Sequence, residues 1–262
     1  LCASKLNIPV AHVEAGLRSF DRSMPEEINR IMTDAISDYL FVTEESGVKN
    51  LLKEGVSRSK IHFVGNVMID TLKSQQKKAA ESQILKNLDL AKGSYALLTL
   101  HRPSNVDNKR DFLKVFEIIG GVSKNIPVVW PVHPRTEKMI DAFRFKKVIA
   151  GMKNLKMTGA LGYLDFLSLM NNAKFVLTDS GGIQEETTIL NVPCLTLREN
   201  TERPVTVTMG TNRVVGLDRK KIISESQKII SGKGKKGRVP PLWDGLASQR
   251  IIAVLVHAKL KA

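Results

Sequence analysis

Cysteine is nearly absent: the 262 residues include two, Cys2 and Cys194. Two thiols cannot build a disulfide framework or a cysteine metal cluster, so a reducing, cytoplasmic setting is expected. Aromatic residues are also sparse, at 5% of the chain. That leaves no stacking platform for nucleic acid, and no nucleic-acid-binding motif is legible. No apolar run approaches the ~18 residues of a membrane span. Neither nucleic acid nor membrane is therefore an expected partner. Acidic residues are outnumbered, 26 against 40 basic ones, for a formal charge of +14. The surplus predicts attraction to anions without saying which. What remains is globular in proportion, 42% hydrophobic and 25% charged, and the length suits two compact domains of ~100–150 residues each.

Short apolar runs rich in β-branched residues alternate with segments of helical period. Strands are expected at Ile8–Val13, Tyr39–Val42, Lys60–Val64, Tyr95–Leu100, Val128–Val132, Asn154–Met157, Lys174–Thr178, Cys194–Leu197 and Arg213–Val215. Helices are expected at Glu26–Ser37, Glu44–Glu54, Met68–Leu88, Lys109–Lys124, Tyr163–Asn171, Gly181–Asn191, Arg219–Ile230 and Ala247–Lys259. Strand–helix alternation with continuously apolar strands implies βαβ units and parallel sheets, an α/β, doubly wound class. From Tyr95 to about Gly216 there are enough strands for one complete Rossmann-like domain, whereas Leu1–Val64 hold about half of one. The expected division is residues 1–70 and 71–244, with the final helix, 245–262, packing back on the first part. Because the chain begins at Leu1 rather than Met, in what reads as the end of a helix, it is expected to be an N-terminally truncated fragment.

One motif misleads. Gly232-Lys-Gly234-Lys-Lys-Gly237 fits the dinucleotide fingerprint G-x-G-x-x-G letter for letter. That fingerprint needs a strand before it and a helix after it. Here a helix precedes it and Pro240-Pro241 follow, so a basic surface loop is expected. A stronger anion site is Thr178-Asp179-Ser180-Gly181-Gly182-Ile183-Gln184-Glu185-Glu186, which follows a strand and opens a helix. Ser180 suits the N-cap, and the glycines allow a ligand to approach the unpaired N–H groups and the positive helix end. Glu186 lies one turn beyond Gly182, ~6 Å further along the same face. A carboxylate there suits a ribose diol whose diphosphate rests on the glycines. A capped helix with an acidic first turn would look the same.

Other candidates cluster at strand ends. Arg203, in Glu199-Asn200-Thr201-Glu202-Arg203-Pro204, follows the strand after this helix. Loops beyond the carboxyl ends of parallel strands converge on one crevice, so Arg203 is expected to face the same ligand, unless it only pairs with Glu202 at the surface. His101-Arg102 and His133, with Arg135 nearby, also follow strands. They suggest anion contacts rather than a metal, since no cysteine or carboxylate stands at ligand spacing beside either histidine. Glu14 ends an apolar strand, where an unpaired carboxylate is expensive. Glu26 follows Pro25 at a helix start, where the macrodipole alone would favour it. Twelve residues apart, the two glutamates could supply an acid and a base across a cleft.

Taken together, HVEAGLRS, PEEINR, LTLHRP, PVHPRT, LTDSGGIQEE and NTERP, in this order from His12 to Pro204, closely resemble the non-hydrolysing UDP-N-acetylglucosamine 2-epimerases. The resemblance implies two facing Rossmann-like domains of the B-type glycosyltransferase superfold. It also implies reversible conversion of UDP-N-acetylglucosamine (UDP-GlcNAc) to UDP-N-acetylmannosamine (UDP-ManNAc), for cell-surface polysaccharide, by a homodimer. The route is elimination of UDP to give 2-acetamidoglucal and re-addition with C2 inverted, with no cofactor and no metal. The resemblance also implies an arginine-containing loop and a catalytic aspartate in the family's first strands. Neither is in this chain, so the chain alone is expected to be catalytically inactive. By motif, Glu14 and Glu26 match the family's catalytic glutamates and His101 a histidine near the diphosphate. Ser180, Gly181, Gly182 and Glu186 match the phosphate and ribose site, and Arg203 and His133 further ligand contacts. Phe166 matches the residue beside uracil, and Leu161 lies where backbone could read the uracil edge. The chain departs from many members at Ser104 and Val205, where they carry Glu. A hydrolysing epimerase and a UDP-sugar glycosyltransferase of the same superfold are the alternatives.

Overall fold

The computed structural model describes residues 1–259; the end of the expected 245–262 helix, Leu260 to Ala262, lies outside the described residues. The chain divides into two compact units. The first holds Leu1–Ser74, Thr201–Met209 and the segment from Val239 on; the second holds Gln75–Asn200 and Gly210–Arg238.

In the first unit, β1 (Ala11–Ala15), β2 (Tyr39–Val42) and β3 (Ile61–Phe63) form a parallel sheet in the order β1-β2-β3. Leu40, Phe41 and Val42 of the central strand are fully buried, which is why that strand reads as a continuous apolar run. One sheet face packs Leu40, Val42 and Ala15 against Leu51 of the helix Glu45–Lys53. The other packs Phe41 and Val64 against Ile251 and Val254 of the helix Ala247–Lys259. The first strand begins later than expected. Pro9 has no N–H to contribute to a ladder, and pairing starts at Ala11 opposite Tyr39, leaving Ile8 and Val10 outside. As an edge strand, β1 is only partly covered, with Val13 39% exposed.

In the second unit, β4 (Ala96–Thr99), β5 (Val128–Pro131), β6 (Leu155–Thr158), β7 (Phe175–Thr178), β8 (Cys194–Thr196) and β9 (Asn212–Val214) are all parallel. Their order is β6-β5-β4-β7-β8-β9, the Rossmann order, which reverses direction between β4 and β7. Phe112, Phe116, Trp130, Phe145 and Phe175 anchor its core. Ligand crevices in such sheets open beyond the carboxyl ends of the strands at that reversal.

The helix expected over Met68–Leu88 is broken into Val67–Ala80 and Ile84–Asn87. The reason is local: the Ser82 hydroxyl donates to Asp165 Oδ1 at 2.6 Å and accepts from the Ile84 N–H, an alternative to the helical ladder. The G-x-G-x-x-G segment follows the helix Arg219–Ile230 and has no regular structure. Its Lys235 donates to the Asn212 carbonyl at 3.1 Å, so the loop is tied to the start of β9. Among the described residues no helix is long and apolar enough to cross a membrane.

Candidate functional site

The reversal point of the second unit carries a cavity of about 220 Å³. His101, His133, Leu161, Phe166 and Ser180 all line it, with Thr99, Pro131 and Ile183. Residues scattered over eighty positions of sequence thus share one concave surface, because β4, β5, β6 and β7 all end there.

Asp179, which follows β7, organises the polar side. It is fully buried and accepts the backbone N–H groups of His101 at 3.1 Å and Arg102 at 2.9 Å, and the Asn105 amide at 3.0 Å. Burial works to raise its carboxyl, but His101 and these donors outweigh it and hold the group below the usual carboxylate range. The ionised oxygen lies 3.2 Å from His101 Nδ1, so Nε2 is the ring nitrogen left for a ligand. The His101 and His133 rings stand 5.7 Å apart. The two guanidinium groups suggested beside them have local partners. Arg102 donates to the Asp179 carbonyl at 3.0 Å, and Arg135 pairs with Asp107 at 2.5 Å. His133 itself caps the helix Pro134–Ala142 by accepting from the Arg135 N–H.

Ser180 is the N-cap of the helix Gly181–Leu190, in extended conformation, but its hydroxyl makes no capping bond. The first-turn N–H groups of Gly181 and Gly182 therefore keep their capacity for an anion. One turn on, Glu186 is 3% exposed and accepts from the Tyr163 hydroxyl at 2.8 Å. Burial pushes its carboxyl up, and the Tyr163 bond pulls it partly back.

The first unit holds a separate carboxylate cluster. Glu14 is the extra residue of a β-bulge: Val13 pairs with Phe41 and Ala15 with Val42, and Glu14 between them takes φ 67°. A non-glycine residue rarely adopts that left-handed conformation, which costs about 1–3 kcal/mol and re-aims the side chain. Gly16 then holds the turn at φ 77°, where an added Cβ would lie 2.4 Å from the Gly47 carbonyl oxygen. Glu14 is not without a partner, as its place on the strand suggested: Arg203 Nη2 approaches it to 3.4 Å. Arg203 Nη1 also meets Glu202 at 2.5 Å, and that carboxylate is buried, so the pair is not a surface one. Arg203 thus belongs to the first unit with Glu14. Glu26, at the start of the helix Pro25–Ala35, is exposed, whereas its neighbour Glu27 is buried. Glu27 accepts the N–H groups of Ser19 and Phe20 and pairs with Arg30 at 2.6 Å. Those bonds hold its carboxyl low against the opposing effect of burial, and they fix the loop between Glu14 and Glu26.

Asp179, Glu27, Tyr163 and Glu44 were not among the expected site residues. Asp179 was adjacent to the recognised glycines and carried a signal, since a carboxylate before a helix start must find donors. Tyr163 and Glu44 act on residues distant in sequence and had none, whereas Glu27 stands beside the recognised Glu26 and bonds locally, to Ser19, Phe20 and Arg30.

The sequence model of the UDP-N-acetylglucosamine 2-epimerase family matches residues 1–256. The chain belongs to this family. It is 45% identical to the UDP-N-acetylglucosamine 2-epimerase of Methanocaldococcus jannaschii, over 99% of this chain and 72% of that protein. It is 39% identical to the UDP-2,3-diacetamido-2,3-dideoxy-D-glucuronate 2-epimerase of Pseudomonas aeruginosa, over 97% of this chain and 70% of that one. The crystal structure of the M. jannaschii UDP-GlcNAc 2-epimerase in complex with UDP-GlcNAc and UDP superposes with a TM-score of 0.90 at 43% identity, covering 97% of this chain and 71% of that chain. The Val205 backbone N–H donates to the buried carboxylate of Glu44. Ser104 lies in the short helix Pro103–Val106.

Proposed function

We propose that this protein interconverts UDP-N-acetylglucosamine and UDP-N-acetylmannosamine by reversible elimination of UDP. The C2 proton of the sugar lies beside an acetamido group rather than a carbonyl, so enolate formation is closed to it. A base removes that proton as the C1–O bond breaks and UDP departs with the bonding pair, giving 2-acetamidoglucal. UDP then adds back to C1, and a proton reaches C2 on the opposite face. Proton transfer and stabilisation of the leaving charge are each worth about 10²–10⁴ in rate.

Glu14 and Glu26 are the acid–base pair of this reading. The observation that carries it is the strained bulge at Glu14: a fold keeps such a conformation where the side chain's direction matters. In the second unit, His101 would stand by the diphosphate, with the Ser180–Gly182 helix start holding phosphate oxygens. Glu186 would accept from the ribose, Phe166 would lie beside uracil, and the Leu161 backbone would read its edge. His133 and Arg203 would supply further contacts. On this reading UDP recognition belongs to the expected 71–244 domain, apart from Arg203, whose segment joins the first unit. Two free cysteines accord with a cytoplasmic location, and a homodimer is the proposed assembly.

The nucleotide half is tested by Glu186→Ala. Losing hydrogen bonds to a charged group should weaken UDP binding by ~1.5–3 kcal/mol in a calorimetric titration. Unchanged UDP affinity would remove the ribose assignment.

A further inference from the structure

We propose that Tyr163 sets the selectivity of this site for ribonucleotides, by holding the Glu186 carboxylate in place for a ribose hydroxyl. The proposal rests on Glu186 being the ribose acceptor and goes on to the residue that tunes it.

Glu186 lies on the helix Gly181–Leu190 and is 3% exposed, while Tyr163 opens the helix Tyr163–Asn172 and is 38% exposed. The phenol donates to Glu186 Oε1 at 2.8 Å, the one hydrogen bond this carboxylate receives from the described residues. A carboxylate offers about four acceptor positions, so one is used and the others remain for a ligand. Without that donor, so buried a carboxyl would lean toward its neutral form, which is a poorer acceptor for a hydroxyl. Tyr163 remains a donor throughout, because burial, and then the charge of Glu186, push its phenol well above its ordinary value. Phe166, one turn along the same helix, lines the cavity, and so does Ile183, one turn before Glu186 on its helix. The Tyr163–Glu186 pair therefore lies one turn beyond the cavity wall on both helices. The half-exposed ring supports little core, and removing only its hydroxyl should leave the fold intact.

The test is calorimetric titration of UDP and its 2′,3′-dideoxy analogue into the native protein, Tyr163→Phe and Glu186→Ala. The native protein should prefer UDP by ~10-fold or more, from the worth of hydrogen bonds to a charged group. Tyr163→Phe should reduce that ratio at least about fivefold, with affinity for the dideoxy analogue held within about twofold. Glu186→Ala should bring the ratio close to one. If Glu186→Ala abolishes the preference while Tyr163→Phe leaves it unchanged or larger, the role of Tyr163 is wrong and the ribose reading stands. If Glu186→Ala itself preserves the preference, the ribose reading fails, and the proposal with it.

Discussion

Buried carboxylates dominate the chemistry of this chain at the scale of single residues, and their surroundings separate their roles. Asp179 and Glu27 each accept several N–H donors and stay ionised, so they act as fixed struts. Glu44 differs. It is 2% exposed, and burial pushes its carboxyl up to about 7, against the Ser46 hydroxyl, the Val205 N–H and the charge of Arg203, with Glu202 adding to the rise. Between the ordinary value of 4.5 and that raised one, the folded chain holds a proton that the unfolded chain has lost. Stability attributable to Glu44 is therefore complete at low pH and falls as pH rises through this window. Glu44→Gln removes the titration while keeping the shape. Thermal unfolding should show the variant gaining on the native protein between pH 5 and pH 8, by roughly 3 kcal/mol at full effect. An equal difference at both pH values would show that Glu44 is not a buried, proton-holding group. None of this was legible in the sequence, where Glu44-Glu45 reads as an ordinary acidic helix start.

At the scale of elements, what was legible followed apolar pattern and what was not followed local chemistry. All nine strands are found close to their expected places, because buried parallel strands read as unbroken apolar runs. Their edges moved where a single residue intervened, as Pro9 did for β1. The short helices Pro103–Val106, Pro134–Ala142 and Pro204–Thr208 were not expected, yet each opens on a proline, a helix-start signal too short to carry an apolar period. The bulge at Glu14 was likewise invisible, since bulges depend on the partner strand. Gly16 is the checkable part of that element. Gly16→Ala combines a left-handed φ with a clash against the Gly47 backbone, so it should destabilise the protein by more than ~2 kcal/mol. An unchanged melting temperature would mean that the turn after β1 is freely remodelled and that Glu14 is not rigidly aimed.

At the scale of the whole molecule, two α/β units, each built on a parallel sheet, each carry one cluster: Glu14 with Arg203 in the first, and the cavity with the Gly181 helix start in the second. The sequence motifs named Glu14 and Arg203 of the first, and His101, His133, Leu161, Phe166 and Ser180 among the residues lining the second. They did not show that Arg203 belongs with Glu14, because its segment, Thr201–Met209, leaves the second unit to join the first, a crossing that follows from packing rather than local pattern. The +14 charge fits an anionic substrate but does not identify one. The central claim is that a proton is exchanged at C2 while UDP leaves and returns. It is tested most directly by incubating the protein with UDP-N-acetylglucosamine in deuterium oxide and reading C2 by proton NMR. The account predicts that the UDP-N-acetylmannosamine formed carries deuterium at C2, and that Glu14→Gln slows its formation at least ~10²-fold with UDP affinity nearly unchanged. Epimerised product that retains its C2 proton would contradict the account.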